Sequence, residues 1–494
     1  MEITVNSTIE LRDSRLWRER ALINGEWVTS ERGVSFDVSD PATGACLAHV
    51  ARCGMHETER AVLAASLAFP AWAARTAKER AEPLKRWAAL IAENVEDLAA
   101  ILTAEQGKPL QDARNEVLFA ASFVEWFAEE AKRTYGEVIP GARRDVSFTT
   151  VQEPIGVTAG ITPWNLPCAM VTRKAAPALA AGCTMVLKPA EDTPLTALAL
   201  GELSLRAGIP PGVFNIVPSD RSGSQSVGEV MTTHPAVGKL SFTGSTAVGK
   251  KLAAACAGTM KRLSLELGGN SPFIVCEDAD LDIAVESAVF AKFRNAGQTC
   301  IAPNRFFVHA AVHEAFVQQL RSAMQALRQG NGRMPGVHLG PLISDAGVRK
   351  VKAHVADAIS KGAKLEVGGQ ALDGAGSFYA PTLLTAVTPE MLMFQEETFG
   401  PVIGVASWRD ESSLLEAANA TRFGLAAYVF SRSADRIHRI TRALETGIVG
   451  VNTGAIATEV APFGGFKESG IGREGARQGI ADFMETKFIC QAYA

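Results

Sequence analysis

From Val151 onward, short apolar runs rich in β-branched residues alternate with helical stretches, and this alternation constrains the fold more than any other feature. The runs occupy residues 156–161, 184–187, 213–217, 239–242 and 272–275, with Gly and Pro between them. Strands that alternate with helices pair in parallel, because each crossover helix returns the chain to the same end of the sheet and covers one face. A second alternating region runs from Arg305 to about Val451. The boundary between the two is expected near Gly268-Gly269. Before Val151 the pattern is helical: residues 79–102 and 111–135 repeat apolar side chains every three or four positions, as in Leu84, Trp87, Ala88 and Ile91. Gly107-Lys108-Pro109 breaks between them. No internal repeat or low-complexity tract is evident.

At about 150 residues per domain, 494 residues correspond to roughly three domain-sized pieces. Hydrophobic residues make up 47% and charged residues 21%, which suits a large folded core rather than a disordered chain. The net charge of −4 gives no basis for broad nucleic-acid or anionic-membrane binding, although it says nothing of a local anion pocket. Residues 175–187, the longest nearly apolar run, are bracketed by Lys174 and Lys188 and are too short to span a bilayer. Met1–Val5 lacks a basic stretch followed by an apolar run, so no secretory leader is expected, and the sequon Asn6-Ser7-Thr8 carries little weight without secretion. The eight cysteines, Cys46, Cys53, Cys168, Cys183, Cys256, Cys276, Cys300 and Cys490, contain no C-x-x-C pair. The expectation is a cytoplasmic protein with reduced thiols, no metal site, and most cysteines acting as small buried hydrophobes.

Three glycine motifs stand out. Gly470-Ile471-Gly472-Arg473-Glu474-Gly475 matches G-x-G-x-x-G, but too few residues follow for the βαβ unit that fingerprint needs, so a surface turn is expected. Gly244 to Lys251 nearly matches a P-loop. Lys251 stands where Ser or Thr would hold Mg²⁺, which argues against a nucleotide hydrolase. The segment still suits an anion at a helix N-terminus, or an ordinary strand-to-helix turn. Gly268-Gly269 would allow close backbone approach. Just before it, Glu266 sits in an apolar context, where a carboxylate is either paired with a cation or raised in pKa, as a general base requires.

Cys300 differs from the other cysteines. It follows Phe293-Arg294-Asn295-Ala296-Gly297-Gln298-Thr299, so small and polar neighbours surround a thiol that a loop would expose. Together with Glu266, it makes the chain resemble the NAD(P)-dependent aldehyde dehydrogenase superfamily. The shared motifs, in order, include Ile23-Asn24-Gly25-Glu26-Trp27, Thr162-Pro163-Trp164-Asn165, Lys188-Pro189-Ala190-Glu191 and Ser241-Phe242-Thr243-Gly244-Ser245. They continue with Leu265-Glu266-Leu267-Gly268-Gly269, Gly297-Gln298-Thr299-Cys300, Glu397-Thr398-Phe399-Gly400-Pro401 and Pro462-Phe463-Gly464-Gly465.

The resemblance implies an α/β fold. A Rossmann-like NAD-binding domain would take residues 1–137 and 153–267, and a catalytic α/β domain residues 268–468. A small β element, 138–152 with 469–494, would bridge subunits into a homodimer or homotetramer. It implies that Cys300 attacks the aldehyde, that the Asn165 amide and the Cys300 N–H hold the oxyanion, and that Glu266 activates the hydrolytic water. Glu266 also favours release of a free acid over transfer to coenzyme A. Lys188 and Glu191 would bind the adenosine ribose and Glu397 the nicotinamide ribose. Phe399 would pack near the nicotinamide, Gly244, Ser245 and Gly249 would lie at the pyrophosphate, and Trp164 would line the cleft. A carboxylate at Glu191 would repel a 2′-phosphate, so NAD is expected over NADP.

Within the superfamily the chain is most similar to succinate-semialdehyde dehydrogenases, through residues 169–174, 292–300 and 460–465. There, arginines matching Arg173 and Arg294 hold the substrate's distal carboxylate, as guanidinium forks can. Thr458 and Phe463 complete the implied substrate contacts. Three positions depart from the group: Ala457 replaces a serine, Leu166 a phenylalanine, and Ala302 a second cysteine after the nucleophile. The first two leave glutarate semialdehyde or another ω-carboxylated aldehyde open; the third argues against a local disulfide switch. The competing readings are a P-loop-like hydrolase, a silent structural relative and a plain thiol esterase.

Overall fold

The computed structural model describes residues 9–493. Met1–Thr8, with the Asn6 sequon, and Ala494 lie outside them. The first sheet has eight strands in the order Glu26–Val28, Ala21–Ile23, Phe214–Ile216, Thr184–Lys188, Val157–Ile161, Val237–Thr243, Arg262–Glu266, Gly470–Ile471. The five strands from Phe214–Ile216 to Arg262–Glu266 are parallel, and the pairings outside them are antiparallel. Helices cover both faces, so Thr184–Lys188 is buried along its whole length and Val157–Ile161 at all but its last residue. That is why these strands read as continuous apolar runs rather than alternating ones. The chain builds outward from Val157–Ile161 on one side, then crosses to Val237–Thr243 on the other. The crevice beyond the carboxyl ends of these two strands is a topological switch point, where such sheets bind ligands.

The second sheet has seven strands: Lys364–Val367, Thr382–Thr385, Val402–Trp408, Pro303–His309, Ser271–Val275, Ala426–Phe430, Ile448–Val451. All are parallel except the first. Phe273 stacks at 4.6 Å on both Phe306 and Phe430 at its centre. Gly268-Gly269 connects the two sheets. A third sheet joins Val138–Ile139, Val146–Pro154 and Met484–Ala492. The chain's end thus serves two sheets: residues 470–471 edge the first, and only from Met484 does the chain enter the third.

The helical region differs from expectation in two ways. Met55–Ala73 is a helix the apolar spacing did not single out, and Pro70 lies inside it. Residues 79–102 form two helices, Ala77–Glu93 and Val95–Gln106, divided at Asn94. The Asn94 side chain donates to the Leu90 carbonyl at 2.8 Å, the local bonding by which Asn competes with the helix backbone. Trp87 Nε1 donates to the Leu200 carbonyl at 3.1 Å, tying this layer to the helix Pro194–Arg206. Among the described residues no helix is long and apolar enough to cross a membrane.

Gly107 ends Val95–Gln106 with φ +90°, and a Cβ there would lie 2.6 Å from Pro341 Cγ and 2.9 Å from Pro41 Cγ. Gly107→Ala is expected to destabilise the protein by about 2 kcal/mol or more, from left-handed strain plus overpacking, read as a lower urea midpoint.

Candidate active site

A cavity of about 550 Å³ opens between the carboxyl ends of the two large sheets, and Asn165 and Cys300 lie on its wall. Glu266, the last residue of Arg262–Glu266, is buried beside it, its strand leading into Leu267 and Gly268 of the wall. Cys300 follows the helix Leu281–Phe293 and the tight turn Arg294–Gly297. In that turn Asn295 and Ala296 both adopt the left-handed region, at φ 52° and 53°, a conformation that non-glycine residues keep only when their surroundings impose it. Here the Asn295 amide is gripped at both ends. Gln106 Nε2 donates to its oxygen at 2.9 Å, and its nitrogen donates to the Asn165 carbonyl at 2.9 Å. On the far side, a Cβ on Gly269 would lie 2.3 Å from the Cys300 carbonyl oxygen, so only glycine lets the two segments meet.

Asn165 is held just as firmly. Its Nδ2 donates to the Gln298 carbonyl at 2.9 Å, and its carbonyl accepts from Lys108 Nζ at 2.8 Å. Lys108 is fully buried against Glu116. Glu116 in turn accepts from the backbone N–H groups of Cys168 at 2.9 Å and Ala169 at 3.3 Å, at the start of the helix Ala169–Ala181.

Among the described residues, both carboxylate oxygens of Glu266 lack a hydrogen-bond partner. A Cβ on Gly464 would approach Oε1 to 2.9 Å, so the glycine keeps this side open. Burial and the neighbouring Glu474 raise its pKa well above the usual range, against the opposing charges of Arg173, Lys174 and Arg473. Glu474 accepts from Lys174 Nζ at 2.5 Å and lies 3.2 Å from Arg173 Nη2. Burial works against its charge, but Lys174 and Arg173 outweigh burial and hold it ionised. Lys174 also donates to Thr243 Oγ1 at 2.7 Å. The Cys300 thiol is pushed up to about 12 by burial and by the carboxylates of Glu397 and Glu266. A thiol and an amide donor thus share one cavity wall, with an unsatisfied carboxyl group buried beside it, the kind of set that acyl chemistry through a thioester requires.

Comparison with known proteins agrees with this arrangement. The pattern of the aldehyde dehydrogenase family matches residues 27–489. The chain belongs to the aldehyde dehydrogenase family. It is 55% identical to a 3-sulfolactaldehyde dehydrogenase of Pseudomonas putida over 98% of this chain and 99% of that one. It is 52% identical, with the same coverage, to an NADP⁺ succinate-semialdehyde dehydrogenase of Escherichia coli K12. The crystal structure of an aldehyde dehydrogenase from Brucella melitensis biovar abortus 2308 superposes with a TM-score of 0.97 at 51% identity, covering 99% of this chain and all of that one.

In this aldehyde dehydrogenase Trp164 and Phe399 face each other edge to face at 5.4 Å within the cavity. Phe399 itself is left-handed, at φ 55°. Glu397 accepts from the Gly269 N–H at 3.1 Å and is raised to about 7, chiefly by burial. Gly244 and Ser245 lie on the wall where the helix Thr246–Ala257 begins. Gly249 does not. A Cβ there would strike Leu267 Cδ2 at 2.4 Å, so this glycine serves helix–sheet packing. Glu191 lines the cavity, whereas Lys188 is buried behind it, 3.7 Å from Glu191 Oε2 and donating to the Pro189 carbonyl. Asp192 and Arg221, not singled out from sequence, share that wall, and burial together with Glu191 raises Asp192 to about 6.

At the other end, Arg294 is half-buried on the cavity wall and has no ion-pair or hydrogen-bond partner among the described residues. Arg173 is buried, paired with Glu474, and stacked on Phe463 at 4.3 Å. Thr458 is off the wall, because its hydroxyl turns to Glu459 Oε2 at 3.2 Å; Ala457 lines the cavity instead. The residues 470–475 are not a plain surface turn, since Gly470 pairs with Glu266 and Glu474 enters the site. A carboxylate in a glycine-rich turn was the only sequence signal for Glu474. Lys250 of the P-loop-like segment donates to Glu468 at 2.6 Å on the surface and does not line the cavity.

Because the thiolate is the reactive form, alkylation of Cys300 by iodoacetamide in the cofactor-free enzyme should rise about tenfold per pH unit from 6 to 9 without a plateau. A plateau near neutrality would show a thiol already activated.

Proposed function

We propose that this enzyme oxidises a small aldehyde bearing a distal carboxylate, succinate semialdehyde first, to the dicarboxylic acid, with NAD preferred over NADP. The observation that carries the substrate class is Arg294: a guanidinium on the cavity wall, six residues before the proposed nucleophile, with no carboxylate paired to it among the described residues. A half-buried unpaired cation is costly unless an anionic ligand meets it. The aldehydes named for the two bacterial relatives are both anionic at neutral pH.

The residues present suit a nicotinamide dinucleotide. A helix N-terminus capped by Ser245 opens on the cavity, Glu191 and Glu397 offer carboxylates to ribose hydroxyls, and Trp164 and Phe399 form an aromatic wall. When bound, the cofactor accepts the hydride from the substrate carbon. Cys300 gives its proton up to solvent water and adds through sulfur to the aldehyde carbon. The resulting oxyanion takes hydrogen bonds from Asn165 Nδ2 and the Cys300 N–H. Loss of hydride leaves a thioester on Cys300. Glu266, its carboxyl oxygens unpaired, then takes a proton from water as the water's oxygen attacks the thioester. The acid leaves and Cys300 recovers its thiol.

Glu191 on the wall supports the NAD preference, and Arg221 and Lys188 nearby temper it. Ala457 and Leu166 make the substrate end apolar beside Arg294, which favours glutarate semialdehyde, one methylene longer, as the second reading. The domain division given above, with the three-stranded sheet as the assembly element of a homodimer or homotetramer, is part of the same proposal. Val138, Phe488 and Ile489 expose apolar side chains on that sheet.

A panel of aldehydes with and without a distal carboxylate, assayed with both cofactors, tests this reading. Arg294→Ala should raise KM for the acidic aldehydes at least tenfold and for neutral ones of equal length less than twofold, and NAD should give the higher kcat/KM. Equal effects on both aldehyde classes would remove the carboxylate clamp, and a higher value with NADP would overturn the role given to Glu191. Glu266→Gln should give a burst of about one NADH per active site followed by turnover reduced at least a hundredfold; unchanged steady-state turnover would remove Glu266 as the base.

A further inference from the structure

We propose that Asp37, Cys46 and His49 form a surface site for a divalent cation of the Zn²⁺ or Co²⁺ kind, distinct from the catalytic cavity. Cys46 and His49 lie three residues apart in the strand Cys46–Ala51. In a regular strand, side chains three apart stand on opposite faces, so spacing alone would separate them. The register against Ser35–Ser39 removes that obstacle. Val38 pairs with Ala48, but Ser39 pairs with Cys46, so Leu47 is an extra, bulged residue. A bulge re-aims the side chains beyond it. It swings Cys46 onto the face of His49, whose direct cross-strand partner is Asp37. One donor atom from each of the three residues lies within 4.8 Å of the others, and Asp37 Oδ1 is 2.7 Å from His49 Nδ1.

Bonds of about 2.0–2.3 Å to a tetrahedral ion imply donor separations of roughly 3.3–3.7 Å, within reach of small side-chain rotations here. An imidazole, a thiolate and a carboxylate suit a borderline cation and disfavour Mg²⁺ or Ca²⁺, which take oxygen. Water would complete the coordination, and binding would release the thiol proton. The side chains of His49 and Asp37 are 68% and 66% exposed, so an ion enters directly from solvent. The base beneath them is firm. Asp40, at the turn between the strands, accepts from the Ala42 N–H at 2.8 Å and from Arg333 Nη2 at 2.8 Å, and Gly44 donates to its carbonyl at 2.7 Å. The bound ion would staple the two strands together; none of its ligands lines the catalytic cavity.

Titration of the full chain with Co²⁺ near neutral pH tests the site through the sulfur-to-cobalt charge-transfer band. The band should appear with one equivalent, vanish in Cys46→Ser, weaken at least tenfold in apparent affinity in His49→Gln, and persist in Cys300→Ala and Cys490→Ser. Aldehyde oxidation by Cys46→Ser and His49→Gln should stay within twofold of the parent. A band that survives Cys46→Ser, one that disappears in Cys300→Ala, or no band at millimolar Co²⁺ would each overturn the proposal. Should Cys46→Ser not fold, unchanged affinity in His49→Gln or Asp37→Asn overturns it equally.

Discussion

The buried ion pair of Lys108 and Glu116 is the contact on which the site's geometry depends. Two charges out of water are tolerated only when each is fully bonded, and removing one partner typically costs about 3–5 kcal/mol. Lys108 meets that condition by also donating to the Asn165 carbonyl, and Glu116 by accepting from the first N–H groups of Ala169–Ala181. The pair therefore fixes two things together: Asn165 on the cavity wall, and the helix that carries Arg173 and Lys174. Those two cations hold Glu474, and Glu474 faces Glu266. A constraint in the helical layer thus reaches Glu474 through polar contacts, and Glu266 through the charge of Glu474.

The same chain of contacts explains how several carboxylates share a dry space. Glu474 is compensated and stays charged, which leaves Glu266 without a cation of its own and raised in pKa. Glu397 is likewise raised, with one backbone N–H for company. Burial beside these carboxylates keeps the Cys300 thiol protonated at rest. A raised pKa disfavours the thiolate, the form that oxidants attack. Activation then has to accompany the arrival of ligands that change the local charge.

Much of the architecture was legible because parallel strands covered on both faces leave uninterrupted apolar runs. Those at residues 184–187 and 239–242 appear as Thr184–Lys188 and Val237–Thr243. The break at Asn94 was not legible, because it depends on one side chain choosing the Leu90 carbonyl over solvent. In the site, Cys300, Glu266 and Asn165 could be named from residue type, local context and family motif; the fold puts Cys300 and Asn165 on the cavity wall and buries Glu266 beside it. Thr458 and Gly249 failed for a common reason: the direction of a side chain in a loop, or the packing duty of a glycine, follows from neighbours far along the chain. Glu474, Lys108 and Glu116 went unnoticed because they act through partners that no spacing rule connects.

The strand that carries Glu266 is edged by Gly470–Ile471, and Leu267 donates to the Ser469 carbonyl while Ser469 Oγ donates to that of Gly268. Segments synthesised some two hundred positions apart therefore close one reaction centre. During translation Cys300, Asn165 and most of both large sheets emerge well before Glu474 does. The electrostatic setting of Glu266 is therefore completed only after Glu474 has been made, so the carboxyl group and the neighbour that raises its pKa cannot meet while the chain between them is still growing.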